Sequence, residues 1–149
     1  MTYYFLESSA LAKLFVSEKG SEQLIRLMEQ VDDAHKLVSS LVSLEIRSAI
    51  RRRQRAGEIL PADADYALDS LAAECVRMIE QPINPSVVET AQLLLDRHPL
   101  RSLDALHLAT CFVAGDTLRA TDIIFVSADE ALLEAAEDEQ FQTLNPIEL

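Results

Sequence analysis

Four large apolar residues in succession, Tyr3-Tyr4-Phe5-Leu6, begin the chain's pattern. An unbroken run of this kind reads as a strand buried on both faces. Glu7-Ser8-Ser9 follows at once, and then Ala10, Leu11 and Leu14, widened by Phe15, take up a helical spacing. A second helix is predicted over 22–29, with Ser21 as its cap and Leu24, Ile25, Leu27 and Met28 as its stripe. Leu37 and Val38 centre a short strand over 36–40. Ser39 and Ser40 can then start a long helix over 41–56, which Gly57 stops. Leu41, Leu44, Glu45, Ser48, Ala49 and Arg52 share one face of that helix by their spacing of three and four.

Pro61 begins a helix reaching at least Leu71. Residues 74–81 are ambiguous, although the alternation around Val76 and Met78 suggests a strand bounded by Pro82. Pro85-Ser86 opens a helix that His98-Pro99 ends, and Ser102 opens a strongly apolar one that Gly115 is expected to end. Ile123-Ile124-Phe125-Val126 is the second buried strand. Ser127 with Glu130 forms a capping box for the next helix, and residues 141–144 read as a last strand. Strands alternating with helices predict an α/β fold with a mainly parallel central sheet, the runs 3–6 and 123–126 being central neighbours. No linker or repeat divides the chain, so residues 1–149 are expected to form one domain.

Composition changes this picture little. With 49% hydrophobic residues and only three glycines and five prolines, the chain suits a helix-rich globule and not a disordered segment. The net charge of −12 argues against indiscriminate nucleic-acid binding, though not against a local basic patch. Cys75 and Cys111 have neither zinc spacing nor a disulfide framework around them, which suits a reducing compartment. There is no long apolar span and no charged-then-apolar start, so a cytoplasmic protein without membrane contact is expected.

The candidate chemistry is acidic. Glu7 ends the first strand. Asp104 and Asp129 each stand two residues beyond a serine, in what reads as a first helical turn, and Glu45 lies on the long helix. Acids favour first turns because they complement the helix dipole, and that alone can explain Asp104 and Asp129. It explains Glu7 and Glu45 poorly, because buried carboxylates are costly unless paired or bound to a cation. Oxygen donors without histidine or cysteine companions indicate Mg2+ or Mn2+ and not zinc. Such a site suits phosphodiester hydrolysis.

Tyr4-Phe5-Leu6-Glu7-Ser8-Ser9-Ala10-Leu11, Glu45, Leu103-Asp104-Ala105-Leu106-His107-Leu108-Ala109, Phe125-Val126-Ser127-Ala128-Asp129 with Leu132-Leu133, and Leu144-Asn145-Pro146 occur in an order that resembles the PIN-domain nucleases. The likeness is greatest to the VapC-like toxin ribonucleases of toxin–antitoxin pairs and covers nearly the whole chain. It implies a three-layer α/β/α sandwich, an acidic pocket for Mg2+ or Mn2+, cleavage of single-stranded RNA, a homodimer and a cognate antitoxin partner. Carried onto this chain, it implies Glu7, Asp104 and Asp129 as metal ligands, with Glu45 completing the catalytic set. The departure is Glu7, where the family has aspartate; the added methylene bears on catalytic strength more than on fold.

The remaining polar residues have two readings each. Ser8 either supports the acidic site or caps a helix, and the site reading is preferred here. Ser127 matches a family hydroxyl, but its capping box is sufficient reason for it. His107, three residues after Asp104, either captures a proton in the reaction or is a core histidine with one hydrogen bond, and the core reading is preferred. Arg47, Arg51, Arg52, Arg53 and Arg55 concentrate five of the thirteen positive charges in nine residues after Glu45. By default they form a solvated face; alternatively Arg51 and Arg52, with Arg101, bind RNA phosphates, or the run binds an acidic antitoxin segment. The leading expectation is a metal-dependent endoribonuclease toxin. The alternatives are a weakly active or inactive RNA- or protein-binding regulator on the same fold, and another metal-dependent phosphoesterase.

Overall fold

The computed structural model describes all 149 residues. Five strands form one sheet in the order β3-β2-β1-β4-β5, and every pairing is parallel. They are β1 (Tyr3–Leu6), β2 (Lys36–Ser39), β3 (Ile79–Gln81), β4 (Ile123–Val126) and β5 (Gln142–Leu144). The two apolar runs are the central neighbours, in the register Tyr3–Ile123 to Leu6–Val126. Successive residues of a strand point to opposite sides of the sheet. Phe5, Leu37, Ile123 and Phe125 therefore enter one core, and Leu6, Val38 and Val126 the other. The Phe5 and Phe125 rings stack with centroids 5.5 Å apart.

Seven helices cover the two faces. Helices α1 (Ser8–Leu11), α2 (Ser21–Glu29), α3 (Val42–Arg55) and α4 (Pro61–Cys75) pack on the Leu6 face. Helices α5 (Pro85–Arg97), α6 (Ser102–Leu118) and α7 (Glu130–Asp138) pack on the Phe5 face. The result is the expected three-layer α/β/α sandwich. From β1 the chain steps outward to β2 and β3, then returns to the other side of β1 for β4 and β5. That reversal opens a crevice at the carboxyl ends of β1 and β4, where open α/β sheets bind ligands.

Several local expectations are corrected. Gly115 does not end α6; the helix runs on to Leu118 and closes through Arg119 in the left-handed region, φ 53°. A Cβ at Gly115 would stand 2.8 Å from Ile123 Cδ1, so the small residue serves close helix–sheet packing. Gly57, at φ 80°, does end α3. That helix buries Val42, Ile46 and Ile50, while Leu44 is two-thirds exposed. The core stripe is thus the i, i+4, i+8 set Val42, Ile46 and Ile50, beside the face that carries Glu45. Ser21 is the first residue of α2, and Gly20 precedes it as the cap. Ser127 does not cap α7. Asp129 does, its Oδ1 accepting from Leu132 N at 3.1 Å. The ambiguous stretch 74–81 divides between the end of α4 and β3. No helix is long and apolar enough to cross a membrane.

Candidate active site

The chain leaves β1 with Glu7 already outside the sheet, its N–H bonded to Val126 O at 3.0 Å. Extended backbone at Glu7 (φ −70°, ψ 155°) makes it the N-cap of α1, so its carboxylate folds back over the first turn. Oε2 accepts from Ser9 N at 3.1 Å, from Ser9 Oγ, and from Ser127 Oγ at 2.8 Å. The two hydroxyls are themselves held: Ser9 Oγ accepts from Ala128 N and Ser127 Oγ from Asp129 N, both at 3.0 Å. Glu7 is 6% exposed and Ser127 fully buried. A carboxylate so deeply placed needs such donors. Here they tie the ends of β1 and β4 together.

Glu45 approaches from α3 across the same edge. Ser8 Oγ donates to its Oε1 at 2.9 Å, so Ser8 does support the acidic group. His107 Nε2 lies 2.5 Å from the same oxygen, an ion-pair distance, although neither ring nitrogen is aligned for a directed hydrogen bond. The imidazole is 1% exposed. Burial pushes it toward the neutral form, but Glu45, then Glu7 and Asp104, outweigh burial and hold its pKa above the ordinary histidine value. His107 therefore belongs to the acidic cluster, whose carboxylates favour its charged form, and is not a bystander in the core. Its place three residues after Asp104 brings both to one face of α6, the only signal in the sequence of this role.

Asp104 lies in the first turn of α6 behind Arg101, the cap residue. Burial, and then the negative charge of Asp129, push its carboxyl above the usual range; the Arg101 backbone and the charges of His107 and Arg101 offset this only in part. No side-chain hydrogen bond acts on Asp104. Asp104 thus feels the charges of Asp129 and His107, His107 feels those of Glu45, Glu7 and Asp104, and Ser127 bonds both Glu7 and the Asp129 backbone.

The donors are hard oxygens, the chemistry Mg2+ and Mn2+ select, and Asp104 is free of side-chain partners. As arranged, however, no three acidic, histidine or cysteine side chains are grouped closely enough to hold one ion. One oxygen of each is engaged: Glu7 Oε2 by the serines, Glu45 Oε1 by Ser8 and His107, and Asp129 Oδ1 by its helix cap.

A cleft of about 350 Å³ runs from Glu7, Ser8, Ser9, Glu45 and Ala128 to Lys13, Glu18, Arg52 and Arg53. Arg52 and Arg53 thus line the same cleft as two of the acids. Arg51 does not: it is turned to α4, where Nη2 meets Asp65 at 2.9 Å and Nη1 meets Gln54 Oε1 at 2.6 Å. Successive helical residues diverge by about 100° in direction, so Arg51 faces α4 while Arg52 and Arg53 face the cleft.

The PIN-domain pattern matches residues 4–138. The chain belongs to the PIN-domain family. This PIN domain is 32% identical over 133 residues to Ribonuclease VapC35 of Mycobacterium tuberculosis, covering 89% of each chain. It is also 32% identical over 121 residues to Ribonuclease VapC49 of the same species, covering 78% of this chain and 79% of that one. Among solved structures it resembles FitAcB from Neisseria gonorrhoeae, with a TM-score of 0.65 over 98% of this chain and 99% of that one. FitAB bound to an IR36 DNA fragment gives 0.60, over 100% and 97%. Identity to each is 12%, so these two likenesses bear on the PIN fold alone.

Proposed function

We propose that this PIN domain is a metal-dependent endoribonuclease, the toxin of a toxin–antitoxin pair. The observation that carries the reading is Asp104, a half-buried carboxylate beside Asp129 with no side-chain hydrogen bond on it. Like charges at such a site are relieved by a shared cation. The ribonuclease relatives add RNA as the substrate class. Asp104, Asp129 and Glu7 would hold Mg2+ or Mn2+, with Glu7 turning its second oxygen outward. Bound there, the ion supplies Lewis acidity for a phosphodiester and acidifies a water.

The chain's own residues do the positioning. Ser9 and Ser127 fix the Glu7 carboxylate, and Ser8 fixes Glu45 toward the cleft. His107 balances the charge of Glu45 until substrate and ion arrive. Arg52, from the cleft wall, and Arg101, at the start of α6, contact RNA phosphates. A cognate antitoxin and a homodimer complete this reading.

The second reading, an inactive RNA- or protein-binding regulator, is favoured by the commitment of Glu7 and Glu45 to protein donors. Calorimetric titration with Mn2+ separates the two. On the nuclease reading the wild type binds Mn2+ and Asp104→Asn weakens that binding at least tenfold; equal affinities, or no binding, favour the regulator.

A further inference from the structure

We propose that Lys13 and Arg53 form a subsite for a backbone phosphate of the RNA, and that Glu18 occupies this subsite in the free protein. The proposal rests on the ribonuclease reading above and names where that substrate is held.

Lys13 follows α1 in a 3-10 turn, and its side chain is only 6% exposed. It lines the cleft that also holds Glu7, Ser8 and Glu45. An ammonium has three donors, and within the chain only one is used, on Glu18 Oε1 at 3.2 Å. A lysine this buried is costly without more complete pairing. Arg53 reaches the other oxygen, Oε2, from α3 at 3.5 Å. Glu18 therefore presents two anionic oxygens to a lysine and an arginine, as the two non-bridging oxygens of a phosphodiester would.

Glu18 is also built to leave. It stands in the connection between α1 and α2, outside any helix or strand, and its side chain is one-third exposed. Its pair with Arg53 is about one-third exposed at both ends, where ion pairs contribute little. Arg53 keeps Glu58 as a second partner at 3.3 Å, so it is not stranded when Glu18 moves. In a chain of net charge −12, RNA needs cations beside the acidic cluster, and the cleft offers Lys13, Arg52 and Arg53.

The test is fluorescence anisotropy of a labelled single-stranded oligoribonucleotide in EDTA, where binding is read without cleavage, with cleavage in Mn2+ measured in parallel. Glu18→Gln should tighten binding severalfold, because a competing anion is removed. Lys13→Met should weaken binding about tenfold, the size of one charged hydrogen bond, and reduce the slope of log affinity against log salt by about 0.7. Arg53→Gln should act in the same direction. A purely structural ion pair predicts the opposite for Glu18→Gln: weaker or unchanged binding and a lower melting temperature. If Lys13→Met does not fold, the sign of the Glu18→Gln effect decides. Wild type that cleaves RNA, with Glu18→Gln no tighter, overturns the subsite and leaves the nuclease reading standing. Wild type that neither binds nor cleaves RNA removes both. An acidic peptide that binds through Lys13 while RNA affinity ignores it would also overturn the proposal, in favour of a protein partner.

Discussion

Ser127 Oγ donates to the Glu7 carboxylate at 2.8 Å, across the boundary between the two central strands and 120 residues of sequence. The same oxygen accepts from Asp129 N, so one hydroxyl links two of the four acids. Ser127→Ala removes both bonds in a fully buried place. Leaving a buried acceptor and N–H with fewer partners costs about 1–3 kcal/mol. Urea denaturation should show that loss; a change below about 0.5 kcal/mol would mean the bridge is not structural.

Glu7 is longer than the aspartate of the family pattern, and its extra methylene is what carries Oε2 to Ser9 and Ser127. Shortening it should misplace the carboxylate. Glu7→Asp is expected to cleave RNA no faster than wild type, and Glu7→Gln on the order of 10²-fold more slowly. Initial rates at matched metal occupancy measure both. A tenfold gain in Glu7→Asp would show instead that the glutamate is a defect of the site.

The acidic cluster should make the metal-free protein less stable as pH rises. The pKa of His107 is raised above 6.5, so the stability it contributes is full below that value and lost as pH climbs through the raised one. Asp104 has a raised carboxyl pKa, so its ionisation above 3.8 also works against the fold. In EDTA the melting temperature should therefore decline on the alkaline side of 6.5, and His107→Gln should flatten that decline. Parallel profiles for the two proteins would remove His107 from the account.

Arg51 and Arg52 should separate although they are adjacent. Arg52→Gln should weaken RNA binding at low salt, with the loss shrinking as salt rises. Arg51→Gln breaks the partly exposed pair with Asp65, worth about 0–1 kcal/mol, and the bond to Gln54, and should leave RNA affinity alone. Equal losses of affinity would return the whole run to a diffuse electrostatic role.

The central strands were legible because burial on both faces demands unbroken apolar runs, and only 3–6 and 123–126 have them in full. The acids at element ends were legible for the same reason, since Glu7 follows the first run directly and Asp129 stands three residues after the second. The partners were not. Ser127 looked like a cap, and its actual bond to Glu7 spans 120 residues, beyond any local pattern. His107 in an apolar helix has the spacing of a core residue whether or not a glutamate meets it from α3. Lys13 carries no sign of burial in its neighbours, because the turn after α1 that carries it inward is set by packing. The core stripe of α3 was not picked out, because exposed Leu44 is as apolar as the Val42, Ile46 and Ile50 that are buried.

The central claim is that the acids at the ends of β1 and β4 form one divalent-ion site for RNA cleavage. A titration of Mn2+ and Mg2+ against cleavage of a single-stranded RNA, with wild type beside Asp104→Asn, tests it most directly. The account predicts no cleavage by wild type in EDTA, saturable activation by Mn2+ and by Mg2+, and a loss on the order of 10²-fold in Asp104→Asn. Wild type inert at every ion concentration, or Asp104→Asn as active as wild type, would contradict it.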